Sequence, residues 1–511
     1  MSKFRTLMAA MTVSGMTALG LMAGAASAQT TMRIGLAEDP DALDPTFART
    51  FVGRIVFAGL CDKLFDIDND LKIVPQLATG FEWSDAGKTL TIKLRDGVLF
   101  HDGEKMDAEA VRFSLDRHLN APRSGRRAEI SVVQTITVVD PLTVRLTLST
   151  AFAPLVAQLT DRAGMMVSPK AVAAAGDQFA AKPVCAGPFR FVERIAQDRI
   201  VLEKFPQYWN VANVHVDRVI YQPIPDSSVR FANLQAGALD MIERLQPTDL
   251  PAARRNTRLR VVPISELGYQ GITINTGNGE RAKSPIGSDP RVREAFDLAI
   301  DRAVINQVVY NGEFTPTAQA VPPSSPFHNK DLKASTRNLD RAKALMAQTG
   351  LRQPVVVNLT TPPNPDLRQV AEIVQAMTKE AGFDVRINVM EFASSLNAAE
   401  RGEFEAYLLA WSGRPDPDGN LYVFITKDGP QNYGKYLNPE VDRLMDEQRT
   451  IADPAQRMAV LQKISTITAA DRPILYMWHR TNFLAHGQRL TGFVPVTDGL
   501  IRLQGVRLAA N

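Results

Sequence analysis

The sequence predicts an α/β protein built from two or three lobes. Three observations carry that expectation. The second half alternates strand, helix and strand with short connections, the first half is dominated by strand pairs, and 511 residues exceed what one hydrophobic core usually organises.

The second half is the plainest. Val355 to Leu359 is a β-branched run. Asp366 to Ala381 then places Leu367, Val370, Val374, Met377 and Ala381 on one helical face, and Gly382 stops it. Phe383, Val385, Ile387 and Val389 alternate as a strand, which completes a βαβ unit and predicts a partly parallel sheet. Gly271 to Asn275 and Ala406 to Trp411 supply further short strands. Asp289-Pro290 opens a helix expected to run to Gly312, with Val292, Ala295, Phe296, Ala299, Val304 and Val308 inward.

In the first half Leu90, Ile92 and Leu94 alternate with Thr91, Lys93 and Arg95. Asp96-Gly97 turns the chain into an expected return strand at Val98-Leu99-Phe100. After a second turn at Asp102-Gly103, Asp107 caps a helix facing inward through Ala110, Val111, Ser114, Leu115 and Leu119. Thr135 to Val139 and Thr143 to Leu148 flank Asp140-Pro141 as a hairpin. Phe189 to Val192 pairs with Ile200 to Phe205, and a helix follows from Phe231 to about Asp240.

Ligands of open α/β sheets bind beyond the carboxyl ends of strands. Two loops begin at such ends: Thr360 to Pro365, and Trp411 to Asn420. The second presents an aromatic ring, Arg414, and the carboxylates of Asp416 and Asp418. A cleft is expected between them.

Lys3 and Arg5 precede an apolar run from Leu7 to Ala25, and Ala26-Ser27-Ala28 fits a cleavage site, so residues 1–28 read as a signal peptide with Gln29 as the mature start. An uncleaved anchor is the alternative. Lys3 and Arg5 are the only charges removed, so cleavage lowers the net charge from +3 to +1, which favours neither nucleic acid nor an acidic surface as partner. The first cysteine after the leader is Cys61, so no lipid-modified N-terminus is expected. Cys61 and Cys185 form a natural pair in an oxidising compartment, where a bond closing so long a loop contributes at most about 5 kcal/mol. Two buried free thiols are the alternative.

Several segments together resemble one family. They are LFDID/LKIVPQLA at 64–78, LRDGVLFHDG at 94–103, CAGPFRF at 185–191, FANLQAGALDMIE at 231–243, DPRVREAFDLAIDR at 289–302 and WSGRPDPDGN at 411–420. In this order they are similar to the dipeptide/oligopeptide/nickel-type family 5 of ABC-transporter extracytoplasmic solute-binding proteins, over about residues 32 to 508. The resemblance implies a two-lobed periplasmic binding protein of type II, large cluster, with a hinge and a cleft between lobes. Lobe I would span 29–270, with an extra subdomain at about 80–170, and would be completed by 486–511. Lobe II would span 271–485. The implied function is capture of a peptide or peptide-like solute in the periplasm and delivery to inner-membrane ABC permease subunits, by a monomer with no cofactor, metal or nucleic-acid partner.

The departures concern the ligand. In peptide-binding relatives an Asp commonly sits three residues after the tryptophan, where this chain has Arg414. An Arg commonly precedes the Asn-Pro of the other loop, where the matching position is Thr361. Both anchors of a zwitterionic dipeptide are thus missing. Arg414 either contacts an anionic ligand group or pairs with Asp416 or Asp418 to brace its loop. Trp411 is core or cleft wall, Asn420 and Tyr422 are weaker candidates, and Tyr269 lies near the expected crossover. Glu38, Asp41 and Asp44 form an acidic loop near the implied cleft rim. An opine-like conjugate, organic acid, sugar or metal chelate is the alternative cargo. A secreted hydrolase is the rival class, but no nucleophile, zincin or P-loop motif is present and the six histidines are scattered.

Overall fold

The computed structural model describes residues 29–509, so the expected leader lies outside the described residues. Two large sheets organise the chain. The first has seven strands in the order Leu259–Ser265, Thr481–Gly487, Met241–Ile242, Thr31–Leu36, Arg218–Pro223, Arg199–Lys204 and Phe189–Ile195. The second has six, in the order Thr315–Pro316, Ile474–His479, Tyr269–Ile274, Ala406–Trp411, Val355–Thr361 and Phe383–Val389. Val355–Thr361 runs parallel to both Phe383–Val389 and Ala406–Trp411, so the partly parallel sheet expected from the βαβ pattern is present.

A four-stranded antiparallel sheet, Ala78–Ser84, Thr89–Leu94, Thr143–Leu148 and Val133–Asp140, stands apart on its own core of Leu90, Ile92, Leu115, Val144 and Leu146. The helix Ala108–Asn120 belongs to it, and the Asp107 carboxylate accepts from the Ala110 N–H. Val98-Leu99-Phe100 does not form a return strand. Ala78–Ser84 and Thr143–Leu148 occupy both edges of Thr89–Leu94, leaving Leu99 only an isolated bridge to Lys105.

The long helix expected from Asp289 to Gly312 is two helices, Pro290–Ala299 and Arg302–Tyr310. Asp301 breaks the run by capping the second through the Val304 N–H. The break resets the helical phase, so Ile305 and Val309 turn inward while Val304 and Val308 are exposed.

The chain passes between the large sheets at residues 266–268 and again at Arg480. Tyr269 already pairs with Trp411, and Thr481 already pairs with Ser265. One residue separates Ile474–His479 from Thr481–Gly487, so the two strands read as one run in sequence. The crossovers are joined to each other: the Glu266 N–H donates to the Arg480 carbonyl, and Arg480 Nε donates to the Glu266 carboxylate at 2.8 Å. Gly268 packs backbone to backbone against the 411–413 loop, where a Cβ would lie 1.7 Å from the Trp411 carbonyl oxygen. Cys61 and Cys185 are disulfide-bonded, with Cα atoms 4.9 Å apart. The C-terminal segment returns Leu500, Ile501, Leu503 and Val506 to the core beneath the first sheet.

Candidate functional site

The adjacent parallel strands Val355–Thr361 and Ala406–Trp411 send their following loops out at one end of the second sheet, facing the first. A cavity lies there between the two sheets. The second-sheet side contributes Pro362, Asn364, Asp366, Trp411 and Ser412, and the first-sheet side contributes Glu38, Phe51, Arg230 and Arg244, with Arg480 at the crossover. Phe392, Leu396 and Tyr433 supply apolar and aromatic wall. Hydrogen bonds also bridge the two sides. Arg49 donates to Asn397 at 3.1 Å, Arg54 to Ser412 at 3.2 Å, and the Ala153 N–H to the Arg449 carbonyl at 2.8 Å.

The charged groups of the cavity wall differ in how fully they are partnered. Arg230 is saturated by the carbonyls of Ile224, Glu243 and Arg244. Arg480 is held by Glu266. Arg244 is looser. It lies 3.9 Å from Glu38 and 3.6 Å from Glu243, its guanidinium sits 5.0 Å over the Phe51 ring, and its buried Nε has no hydrogen-bond partner. Burial works against the Arg244 charge, but Glu243, Glu38, Glu266 and Asp366 outweigh it and raise its pKa. Burial pushes the Glu38 carboxyl up to about 7 against the pull of Arg244. Burial also raises Asp366, opposed by Arg480 and by backbone N–H groups at the start of the helix Pro365–Lys379.

Of the six ligand-site residues read from sequence, Trp411 lines the cavity and the other five do not. Trp411 is also a core residue: Nε1 donates to Asn420 Oδ1 at 2.9 Å and the ring meets Phe424 edge-on. Asn420 is the brace of the loop, accepting additionally from the Arg414 N–H and donating to the Arg414 and Leu267 carbonyls. Tyr269 is buried between Phe424 and Tyr476. Thr361 is buried at its strand end, with its hydroxyl directed to the Pro362 carbonyl. Tyr422, the weaker candidate, carries the Arg449 guanidinium on its ring.

Arg414 faces neither the cavity nor its own loop's carboxylates. Its Nε lies 2.7 Å from Asp161 Oδ2, on the far side of the interlobe interface, and its guanidinium covers the outer face of Trp411 at 4.4 Å. Asp416 is taken by Arg457, at 2.6 and 2.7 Å, and Asp418 by Arg449, at 2.7 and 2.9 Å. In the acidic loop, Asp41 accepts from the Arg49 and Thr50 N–H groups and Asp44 pairs with Arg117, so Glu38 alone reaches the cavity.

Sequence reasoning missed Arg244, Arg480 and Asp366. Each stands just past the end of a strand or at the start of a helix, and that position was the available signal. Among the described residues no group of three or more His, Cys, Asp or Glu is placed to hold a metal ion, and no helix is long and apolar enough to cross a membrane.

Comparison with known proteins agrees with this architecture. The profile described as bacterial extracellular solute-binding proteins, family 5 middle, matches residues 72–432. The glutathione-binding protein GsiB of Pectobacterium atrosepticum is 28% identical over 91% of this chain and 92% of its own length. The dipeptide-binding protein of Escherichia coli is 26% identical over 94% and 96%. Among solved structures, the binding protein AgaA from A. tumefaciens R10, in complex with agropinic acid, superposes with a TM-score of 0.86 at 25% identity, covering 94% of this chain and 99% of that one. DppA from Helicobacter pylori, in complex with the peptide STSA, superposes with a TM-score of 0.86 at 24% identity over 94% and 98%.

Proposed function

The chain belongs to the family 5 bacterial extracellular solute-binding proteins, non-catalytic components of ABC importers for peptides or related small solutes, and from that premise we propose that its cargo is a small carboxylate-bearing, amino-acid-derived solute gripped by Arg244. The observation that carries this reading is the incomplete partnering of Arg244. A buried guanidinium on a cavity wall whose Nε makes no hydrogen bond, with Glu243 no nearer than 3.6 Å, offers donors to a carboxylate, and satisfying it contributes about 1.5–3 kcal/mol. Glutathione, dipeptides and agropinic acid, named for the relatives, all carry such a group. The protein acts in the periplasm after cleavage before Gln29 and hands its cargo to a membrane permease once the lobes have closed.

A thermal-melt panel of free-acid peptides, their C-terminal amides and opine-type acids tests this. A solute at about 100 times its Kd adds roughly 2.7 kcal/mol to stability. Free acids are expected to raise Tm, amides are not, and Arg244→Gln should abolish the rise. Equal shifts from acid and amide overturn the carboxylate reading.

A further inference from the structure

Behind the wall formed by Phe51, Trp411 and Ser412 lies a second charged cluster that the cavity does not use. It consists of Arg54, Arg126, Arg162 and Arg414 with Asp161 and Glu129, each at most 7% exposed. Arg54 Nε donates to Asp161 Oδ1 at 3.1 Å, Arg414 Nε sits 2.7 Å from Asp161 Oδ2, and Arg126 donates to Glu129 Oε1 at 2.5 Å. Arg162 reaches only the Ala48 carbonyl, at 2.6 Å, and lies 3.9 Å from Asp161. Four guanidiniums thus face two carboxylates, an excess of two buried positive charges. The Nε atoms of Arg126 and Arg162 are buried without hydrogen-bond partners, and so are the acceptors Asp161 Oδ2 and Glu129 Oε2, so the surplus lies in charge rather than in donors alone. The electrostatics express the same surplus. Burial lowers Arg162 well below the ordinary guanidinium range, and Arg126, Arg414 and Arg54 lower it further.

Uncompensated charge in a protein interior costs several kcal/mol per ion, a large fraction of a folded protein's net stability. A surplus of this size, with two unsatisfied N–H donors, is the donor set of an anion site. We propose that the Arg54–Arg126–Arg162–Arg414 cluster binds a small anion, a halide or a carboxylate, when the lobes close. Arg414 comes from the second lobe and the other three from the first, so closing completes the site and adds the charge that the anion offsets. Closure and anion uptake are therefore coupled. Arg54 also donates to Ser412 and lies under Phe51, both on the cavity wall. The anion can therefore come from bulk solution or be an acidic arm of the solute, and only the second source rests on the proposed cargo.

Crystals of solute-free and solute-bound protein grown in sodium bromide separate these sources. An anomalous bromide peak within hydrogen-bond distance of Arg162 in the solute-bound form identifies a free anion. A solute carboxylate at the same place, with no bromide, identifies the cargo's own arm. In solution, replacing chloride by gluconate at constant ionic strength should then weaken solute binding at least fivefold, or, for the second source, methyl esterification should do so. Arg162→Gln should remove either dependence. The proposal is overturned if neither anion occupies the cluster in either crystal and affinity is indifferent to chloride and to esterification. The bromide arm on wild-type protein decides the matter even if Arg162→Gln fails to fold, and its failure would leave the Arg244 reading standing.

Discussion

The loop following Trp411 takes part in two ion-pair assemblies of the same residue types and opposite character. Asp416 with Arg457 and Asp418 with Arg449 are bidentate, charge-balanced ion pairs between residues of the second lobe, touched from the first by a 3.4 Å bond from Gln158 to Asp418. Arg414 with Asp161 spans the two lobes and joins a cluster with surplus positive charge. The first arrangement fixes the shape of a loop. The second ties the two lobes together, and under the proposed anion site it makes that arrangement conditional on an anion. Two carboxylates spaced two residues apart and a cation two residues earlier therefore serve stability and conformational equilibrium separately, although nothing in their local spacing distinguishes the roles.

The largest expected effect breaks the balanced assembly. Asp418 accepts two bonds from Arg449, one from Gln448 at 2.6 Å and a longer one from Gln158 at 3.4 Å, and is almost wholly buried. Asp418→Ala leaves Arg449 buried without its counter-ion, and should lower unfolding free energy by about 3–5 kcal/mol. Urea denaturation reads this directly, and a loss below about 1 kcal/mol would mean that solvent reaches Arg449.

Asp161→Asn probes the other assembly, and the order of effects should reverse. Arg54 and Arg414 both lose their shared carboxylate, and the Arg414 contact is the one that bridges the lobes. Solute affinity should fall about tenfold or more, equivalent to roughly 1.4 kcal/mol, with a smaller fall in urea stability than in Asp418→Ala. Isothermal titration beside the urea series makes the comparison. A variant that melts much earlier but binds unchanged would show that Asp161 is a structural partner of Arg54 alone.

The legible and illegible parts of this molecule divide along the same line. Period-2 and helical patterns located the strands around Val355 to Val389, the Asp107 cap and the Trp411 loop, because each is decided by residues within one element. The loop–loop cleft was legible for the same reason: strand ends and prolines are local. Partners were not. In sequence Arg414 has Asp416 and Asp418 as its nearest carboxylates, while its partner in the fold is Asp161, brought in from the other lobe. The cavity cations follow the same rule. Arg244 and Arg480 lie in different strands' ends and meet only because Thr481–Gly487 returns beside Met241–Ile242 in the first sheet. The broken helix at Ile300-Asp301 was missed for a different reason: Asp301 caps as readily as it tolerates a helix surface, and apolar spacing continues across it.

The smallest expected effect sharpens the contrast on the opposite flank of the cavity, where charge is mixed rather than surplus. Burial raises Glu38 from 4.5 to about 7 in the folded protein, Arg244 opposing. A raised carboxyl binds more protons folded than unfolded between these values, so its contribution to stability is complete below about 4.5 and is lost as pH rises through about 7. Asp62, also raised to about 7, contributes with the same sign, while His101, His118 and His479, lowered to about 4, act in the opposite sense below their ordinary range. The informative quantity is therefore the difference between wild type and Glu38→Gln. Across pH 4.5 to 7 the stability of wild type relative to Glu38→Gln should fall steadily, as read by urea midpoints at fixed ionic strength. A flat difference would place Glu38 in contact with solvent or firmly ion-paired with Arg244, and the cavity would then present a neutral pair to its solute in place of an open guanidinium.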